Sequence, residues 1–536
     1  MYSVAVSAEC FPYHQGVPAN MESRRAQRSG LLARWQQTMQ TAMYPDLIFK
    51  GSVTPAHTLK RSARQLATAL VDLGLTEGDI ACVMLRNDVP FIQAVMAIRD
   101  LGAYCCPINW HFKAQEAGHL LTDSGAKVLL IDPQLLEVIE QSIPADIRIV
   151  VVDHHWDAWL NSHQPWSPED SQQRPSRGFI AYTSGTTGVP KGVKRIPPTA
   201  AMATELADQA RTLYEQVLNL SPGTRTLVSA PLYHSAPLTY LLQCAQNQTC
   251  LYLEPRFDAL RTLQLIEDEQ ITHAYMVPTM FHRLLDLPPE QTAKLDTSSL
   301  QFVTCTGSPC PSGLKARFHE RFGPVIYECY ASSETGYITR ITPDEAALKP
   351  GSVGKAVGQA KIQILDDDGQ PVGVGERGRI YVRQPATPDF DYIGRSEDRA
   401  RIQVEDLVSI GDVGYLDEDN YLYLSDRQSD MVISGGVNIY PAEIEATLST
   451  MPQILDCAVF GIPDAEFGEA LACAVQCRPG QSLTAQEVKD YVKSHMASYK
   501  VPRQVEFKDA LPREETGKIF KRKLREPFWQ DTNRSI

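Results

Sequence analysis

Alternation between helical and extended segments, which begins near residue 59, is the feature that most limits how this chain can fold. The first segment, LKRSARQLATALVDLGL, repeats apolar residues at helical spacing, namely Leu59, Ala63, Leu66 and Leu70. The apolar run IACVMLRN that follows is typical of a buried strand, and PFIQAVMAIRDLG predicts a helix that opens at Pro90. Further strands are predicted at AKVLLID, IRIVVVD, GFIAYTS, TLVSAP, HAYMVP and LQFVTCTG. Strands separated by helix-length stretches favour an α/β architecture with largely parallel sheets.

A different pattern after residue 350 indicates a second part of the chain. The segments KIQILDDDGQPV and RGRIYVR are typical of antiparallel strands. Nearer the C-terminus, helices at PAEIEATL and LTAQEVKDYVKSHM mix with strands at DCAVFGI and LACAVQC. A chain of 536 residues exceeds what one core supports. We therefore expect two domains, 1–426 and 427–536, which meet near DRQSD.

The composition excludes several classes of protein. A net charge of −13 argues against a broad nucleic-acid surface, and no apolar run is long enough to span a membrane. The N-terminal stretch MYSVAVSAECFPYHQG lacks the basic and apolar regions of a signal peptide. Twelve scattered cysteines include no CxxC pair and are typical of reduced, buried thiols. We expect a cytoplasmic protein with no nucleic-acid partner and no transmembrane segment.

The stretch YTSGTTGVPKGV, residues 182–193, has the composition of a phosphate-binding loop. Glycines let backbone amides converge on an anion, hydroxyls add donors, and Lys191 supplies a positive charge. The P-loop pattern is absent, because Gly188 is followed by Val189 and Pro190 before the lysine. A polar surface turn is the alternative interpretation, and the rest of the chain decides between the two.

Four further stretches, each more often structural than functional when taken alone, follow in order: YECYASSETG, GDVGY, ISGGVNIYPAEIE and PREETGKIFKRKLR. With TSGTTGVPKG, their order and spacing resemble the adenylate-forming superfamily of acyl-CoA synthetases, peptide-synthetase adenylation domains and beetle luciferases. The resemblance runs from about residue 30 to about residue 526. It is strongest to bacterial fatty-acyl and aryl-CoA ligases, through PINWHF, PLYHSAPL and DRQSDMVISGGVNIYPAEIE.

The resemblance implies a fold and a reaction. The fold is a large N-terminal domain of stacked mixed sheets with helices, followed by a small mobile α+β C-terminal domain that carries the catalytic lysine. The reaction uses ATP and Mg²⁺ to convert a carboxylic acid to an acyl-AMP, and then transfers the acyl group to CoA. In the superfamily, the C-terminal domain rotates between the two steps.

The resemblance also implies the residues that hold ATP. The loop for the β- and γ-phosphates corresponds to Thr183, Ser184, Gly185, Thr186, Thr187, Gly188 and Lys191. Tyr330 matches the aromatic residue that stacks on adenine, while Gly307 and Ser308 match the wall beside adenine and the acyl group. Asp412 and Arg427 match the two ribose contacts.

Other matched residues concern the chemistry. Glu334 matches the Mg²⁺ ligand, and Ser333 stands near the α-phosphate, where relatives usually have Thr. Lys518 matches the lysine that reaches the substrate carboxylate and the α-phosphate, and His234 matches a gating aromatic beside that carboxylate, with a merely packed histidine as the alternative. Gly435 and Gly436 match the glycines beside the pantetheine tunnel, where a missing side chain gives clearance.

Some positions depart from the superfamily pattern. Ser429 occupies the hinge position, where relatives usually have Asp or Lys. Ala331 replaces a glycine of the superfamily's YGxTE pattern, and Ile410 replaces the Thr or Ser that commonly precedes the GD pair. Ser235 replaces the Asp that pairs an α-ammonium in amino-acid-activating relatives. Because the surrounding segments are apolar or small, we expect a fatty or aryl acid as substrate.

Several functional alternatives stay open. The enzyme could load the acyl group onto the phosphopantetheine of a separate carrier protein, or the chain could keep the fold as a catalytically inactive binding protein. Retention of Lys518 and Glu334 argues against the second of these. Luciferase-type oxidation is remote, and a homodimer is left open.

Overall fold

The computed structural model describes residues 44–167, 177–183, 190–308, 310–427, 430–434, 437–464, 467–513 and 518–530. It is a mixed α/β structure with a large N-terminal domain of several sheets and helices and a smaller C-terminal domain, which confirms the expected fold class. Within the described ranges the strands form five sheets.

The largest sheet has nine strands and carries most of the candidate site. Their spatial order is Lys355–Ala356, Gly336–Ile341, Ile326–Ser332, Phe302–Cys305, His273–Met276, Arg225–Val228, Cys250–Leu253, Asp46–Phe49 and Ser52–Thr54. Neighbours from Ile326–Ser332 to Asp46–Phe49 are parallel, and the strands at both edges pair antiparallel. The prediction of a largely parallel sheet is confirmed for its centre.

A second, four-stranded sheet is parallel throughout and has the order Tyr104–Pro107, Ile80–Met84, Val128–Ile131 and Arg148–Val151. The first predicted helix spans Ala56–Asp72, and its four predicted apolar residues are all buried. The next helix, Val89–Asp100, begins one residue before Pro90, because the Asp88 side chain accepts a hydrogen bond from the Val89 amide and caps it.

The glycine-rich stretch connects two antiparallel strands. Ala181–Thr183 pairs with Lys191–Arg195, which in turn pairs with Phe390–Tyr392 in a three-stranded sheet. Within GFIAYTS, Phe179 forms an isolated parallel bridge with Cys105, but the strand Ala181–Thr183 departs from the expected parallel pattern because the segment after it returns as a strand. Residues 184–189, between the two strands, lie outside the described ranges.

A six-stranded sheet follows, with the strands Lys361–Leu365, Gly378–Arg383, Gln403–Val404, Leu407–Val408, Asp412–Leu416 and Leu422–Arg427. Its first two strands pair antiparallel from Lys361 opposite Arg383 to Leu365 opposite Arg379, as the sequence predicts. The remaining N-terminal helices are Ala114–Ser124, Pro133–Ile139, Trp156–Asn161, Ala200–Leu218, Ser235–Gln246, Ala259–Glu269, Pro278–Leu285, Pro289–Thr292, Ser312–Phe322, Pro343–Leu348 and Ser396–Arg401.

The C-terminal sheet has five strands, namely Val432–Ser434, Val437–Ile439, Ile454–Asp464, Gly468–Cys477 and Gln504–Phe507. Helices Pro441–Leu448, Ala485–His495 and Lys521–Trp529 accompany it, which confirms the predicted mixture of helices and strands. The last strand of the six-stranded sheet ends at Arg427, and the first strand of the C-terminal sheet begins at Val432. The boundary after residue 426 stays a prediction.

Among the helices in the described parts of the chain, none combines the length and the hydropathy needed to cross a bilayer. The eleven cysteines within those parts all carry free thiols.

Candidate active site

Two residues predicted to hold the nucleoside lie in direct contact. The Tyr330 hydroxyl donates a hydrogen bond of 2.6 Å to Asp412 Oδ2, although 82 positions separate the two residues. Tyr330 lies in the strand Ile326–Ser332, where the pairing register shifts immediately after it. Asp412 begins its own strand, opposite Arg427, whose side chain lies outside the described atoms. The nine-stranded and six-stranded sheets therefore meet at this pair.

The predicted pocket wall follows the strand Phe302–Cys305, which is parallel to Ile326–Ser332. Gly307 has a φ of 93°, a conformation that residues with a side chain rarely adopt. Because parallel strands end at the same edge of a sheet, Gly307 and Ser308 leave their strand on the side where Tyr330 lies.

A buried ion pair anchors this wall. Lys315 Nζ lies 2.6 Å from Glu328 Oε2, and the two side chains are only 8% and 5% exposed. The other oxygen of Glu328 accepts a hydrogen bond of 3.0 Å from the Cys310 amide. Burial alone would lower the pKa of Lys315, but the Glu328 carboxylate outweighs it and raises that pKa. The sequence offered no signal for this arrangement, which joins the wall segment to the strand of Tyr330.

Glu334, the predicted metal ligand, lies at the end of a short chain of polar contacts. It is 9% exposed, and its Oε1 accepts a hydrogen bond of 3.2 Å from the Tyr392 hydroxyl. Burial, with the Glu334 carboxylate beside it, raises the pKa of Tyr392, so this hydroxyl stays protonated and donates. Lys191 Nζ lies 5.2 Å from the centre of the Tyr392 ring and 2.9 Å from Asp398 Oδ2. The structure thus brings the predicted phosphate-loop lysine close to the predicted metal ligand.

Arg195 holds the backbone of the segment that carries Ser333 and Glu334. Its guanidinium donates to the carbonyl oxygens of both residues and to that of Pro388, the last at 3.0 Å. Burial lowers the pKa of Arg195 to about 10, so the group still carries its charge at neutral pH. Sequence reasoning missed this residue, because only the fold brings it to a segment 138 positions away.

His234 and Ser235 lie where the chain enters a helix that contacts Ser333. The helix Ser235–Gln246, called the site helix below, begins at Ser235, whose Oγ lies 2.8 Å from Ser333 Oγ. His234 Nε2 is buried and has no hydrogen-bond partner among the described residues. Burial lowers the pKa of His234 to about 4, so the imidazole is neutral near pH 7. A neutral ring and a pair of hydroxyls therefore lie at the start of the site helix, and their predicted place beside the acid stays a prediction.

Comparison with known proteins identifies the family of the chain. The profile of the AMP-binding enzyme family matches residues 36–388, and the profile of the C-terminal domain of AMP-binding enzymes matches residues 443–518. The chain belongs to the AMP-binding enzyme family.

Three relatives illustrate the match. An indoleacetate–CoA ligase of Aromatoleum aromaticum is 32% identical over 86% of this chain and 91% of its own. A fatty acid–[acyl-carrier-protein] ligase, ScoC of Streptomyces coeruleorubidus, is 29% identical over 92% of this chain and 95% of its own. The solved structure of the anthranilate CoA ligase AuaEII with anthranoyl-AMP is 25% identical, covers 92% of this chain and 96% of its own, and superposes with a TM-score of 0.81.

In this AMP-binding enzyme, the predicted catalytic lysine belongs to the C-terminal domain. Lys518 lies between Arg513 and the helix Lys521–Trp529, where Arg513 and Ile519 form an isolated β-bridge. That helix packs on the C-terminal sheet, since Trp529 Nε1 donates to the Gly461 carbonyl at 3.0 Å.

Other predicted residues lie outside the described ranges, namely Ser184, Gly185, Thr186, Thr187, Gly188, Ser429, Gly435 and Gly436. Thr183 and Lys191 end and begin the two strands that flank the phosphate-loop segment. The roles assigned to all the predicted site residues stay predictions.

The residues present fit a magnesium ion that is held partly by the protein and partly by the phosphates of the substrate. No group of three or more His, Cys, Asp or Glu side chains suited to a metal occurs in the described residues. Mg²⁺ commonly takes one or two carboxylates together with phosphate oxygens and waters, and the Glu334 carboxylate offers one such ligand.

Proposed function

We propose that this AMP-binding enzyme is an acid–thiol ligase that joins a fatty or aryl carboxylic acid to CoA through an acyl-AMP. The observation that carries the proposal is the convergence of Tyr330, Asp412, Ser333, Glu334 and Ser235 where the nine-stranded sheet meets its neighbours. The relatives described above, ligases for indoleacetate and for a fatty acid, support the same class of reaction.

The first step joins two anions, so the enzyme has to align them and offset their charge. A carboxylate oxygen of the acid attacks the α-phosphorus of ATP, and pyrophosphate leaves. Tyr330 and Asp412, held together by their hydrogen bond, would bind adenine and ribose, which fixes the nucleotide relative to the acid. When bound at Glu334, Mg²⁺ supplies positive charge to the phosphate oxygens. Lys518 would neutralise the substrate carboxylate and the α-phosphate.

Selection of the acid depends on the start of the site helix. Ser235 offers a hydroxyl already paired with Ser333, and it provides no carboxylate for an α-ammonium group. Because the His234 imidazole is neutral, it offers no positive charge to the substrate carboxylate. Lys518 would be the cation that pairs with this carboxylate. This arrangement disfavours α-amino acids as substrates.

In the second step the thiol sulfur attacks the acyl carbon, and AMP leaves. We propose that the C-terminal domain turns about Ser429 between the steps, withdraws Lys518, and brings Gly435 and Gly436 beside the pantetheine arm. The alternative acceptor, the phosphopantetheine of a separate carrier protein, is favoured by the ScoC relative, whose name includes an acyl-carrier protein. We also propose a cytoplasmic location, which the free thiols of the described cysteines support.

The test is pyrophosphate release with a panel of carboxylic acids, followed by mass spectrometry of the thioester product. We expect release that depends on an acid, on ATP and on Mg²⁺, and an acyl-CoA whose mass matches the acid supplied. Release without acyl-CoA, together with acylation of a purified carrier protein, would favour the alternative acceptor. Absence of acid-dependent release with every acid would contradict the proposal.

A further inference from the structure

Four tyrosines lie together inside the N-terminal domain and are called the phenol cluster: Tyr214, Tyr240, Tyr275 and Tyr337. The rings of Tyr240 and Tyr275 lie 5.7 Å apart, and those of Tyr214 and Tyr337 lie 6.2 Å apart in an edge-to-face arrangement. Tyr240 is fully buried, while Tyr275 and Tyr337 are 2% and 4% exposed. These phenols belong to the hydrophobic core of the domain, where a buried tyrosine hydroxyl usually finds a hydrogen-bond partner.

The phenol cluster lies between the site helix and one face of the nine-stranded sheet. Tyr240 is on the site helix, and its hydroxyl lies 2.7 Å from that of Thr226, in the strand Arg225–Val228. Tyr275 and Thr304 are paired in neighbouring parallel strands, so their side chains share a face of the sheet.

The cluster also adjoins the residues that face the substrates. Tyr337 lies opposite Ala331, the residue that follows Tyr330. The site helix begins at Ser235, which contacts Ser333, and Tyr240 follows five positions later. Since a helix rises 1.5 Å per residue, Tyr240 lies about 7.5 Å along the helix from the carboxylate end of the site.

Two hydroxyls on this side of the sheet have no hydrogen-bond partner among the described residues, although both are buried. They are Tyr337 OH and Thr304 Oγ1, on residues that are 4% and 0% exposed. Buried hydroxyls are nearly always paired, and one left without a partner is costly. Burial, together with Cys329 and the neighbouring phenols, raises the pKa of Tyr337, so its hydroxyl is neutral and can both donate and accept.

We propose that the acid is a compact aromatic acid whose far end carries a hydroxyl or amino group, and that Tyr337 hydrogen-bonds this group. This inference rests on the proposed function, because it requires the acid's carboxylate to lie at Ser235 and Ser333. Ser235 and Tyr240 are about 7.5 Å apart along the site helix, which is about the length of one substituted ring. The edges and faces of the tyrosine rings pack well against an aromatic tail. A long alkyl chain would have to displace the buried ring of Tyr240.

The test compares pairs of acids that differ only at the far end of the ring. Pyrophosphate release is measured with 4-hydroxybenzoate against 4-methylbenzoate, and with 4-hydroxyphenylacetate against 4-methylphenylacetate, for the wild type and for Tyr337→Phe. We expect the wild type to prefer the better hydroxy acid by about 10- to 100-fold in kcat/KM, because the methyl analogue leaves Tyr337 unpaired. In Tyr337→Phe this preference should fall to within about threefold. The control Tyr381→Phe, which removes a buried phenol from the six-stranded sheet, should keep the wild-type preference.

Chain length gives a second measurement. Tyr240→Ala should raise the kcat/KM for dodecanoate relative to hexanoate, because it removes the buried ring that a long alkyl chain would have to displace. Equal use of hydroxy and methyl acids by the wild type, an unchanged preference in Tyr337→Phe, or a wild type that prefers dodecanoate would each overturn the inference while leaving the ligase activity in place. If no acid supports pyrophosphate release, the proposed function fails and the inference fails with it.

Discussion

Replacing Glu328 by Gln removes the negative partner of a buried cation and keeps the size of the side chain. In the native protein, Lys315 Nζ lies 2.6 Å from Glu328 Oε2, and both groups are almost fully buried. Breaking such a pair from one side typically costs about 3–5 kcal/mol, because the remaining charge has no partner. That is a large share of the roughly 5–15 kcal/mol by which proteins are stable. We expect Glu328→Gln to lower the free energy of unfolding by this amount.

The double variant Lys315→Met with Glu328→Leu separates the effect of the ion pair on stability from its effect on the position of the pocket wall. Replacing both charges by apolar side chains of similar volume is often neutral or stabilising, so most of the unfolding free energy should return. The Cys310 amide, however, loses its acceptor, whereas in Glu328→Gln the side-chain oxygen can still accept from it. The wall with Gly307 and Ser308 then loses an anchor. We expect the double variant to raise the KM for ATP several-fold while kcat changes less.

Urea unfolding followed by tryptophan fluorescence measures the stabilities, and pyrophosphate release at varied ATP gives KM and kcat. Lys349→Met, which removes a lysine from the more exposed ion pairs with Asp417 and Asp419, serves as the control and should lower the unfolding free energy far less than Glu328→Gln does. An unfolding free energy of Glu328→Gln within about 0.5 kcal/mol of the wild type would refute the reasoning about the buried pair.

Three further changes test the predicted metal ligand, the acid pocket and the hinge. Glu334→Gln should raise the Mg²⁺ concentration needed for half-maximal adenylation and slow that step by the equivalent of about 2.7–4 kcal/mol; an unchanged metal titration would remove Glu334 from the metal role. Ser235→Asp should raise the KM for the acid, since a second carboxylate beside Ser333 repels the substrate, and equal KM values would contradict this placement. Ser429→Pro, at the predicted hinge, should keep acid-dependent pyrophosphate release but lose most acyl-CoA production, and retention of both rates would move the hinge elsewhere.

The pH dependence of stability provides a separate check at His273. Burial lowers the pKa of His273 from 6.5 to about 4, so the unfolded state takes up a proton first as the pH falls. The stabilisation due to the neutral ring is therefore present above about pH 6.5 and is lost between that pH and about pH 4. The difference in unfolding free energy between the wild type and His273→Asn should shrink over this window, and a constant difference would contradict the shift.

The sequence predicted those parts of the fold and the site that depend on local pattern. Helix spacing placed Leu59 and Leu70 on a buried face, and the motif order singled out Tyr330 and Asp412, which the structure joins by a hydrogen bond. Patterns of this kind can be recognised in a sequence because each depends on a few neighbouring residues.

What the sequence could not show are contacts between distant segments. Arg195 reaches Ser333 and Glu334 only because the strand Lys191–Arg195 returns beside Ala181–Thr183, and the sequence pattern had suggested a parallel arrangement there. Lys315 and Tyr337 gave no signal, since a lysine on a helix and a tyrosine in a strand are usually unremarkable until burial is known.

Lys518 is expected to act in adenylation and not in thioester formation, and measuring the two half-reactions of Lys518→Ala tests this directly. We expect acid-dependent pyrophosphate release to be lost, while conversion of a supplied acyl-adenylate and CoA to acyl-CoA stays near the wild-type rate. Lys523→Ala, an exposed lysine five positions later in the same basic stretch, should leave both rates unchanged. Equal loss of the two half-reactions in Lys518→Ala, or full retention of both, would contradict a role of Lys518 in adenylation alone.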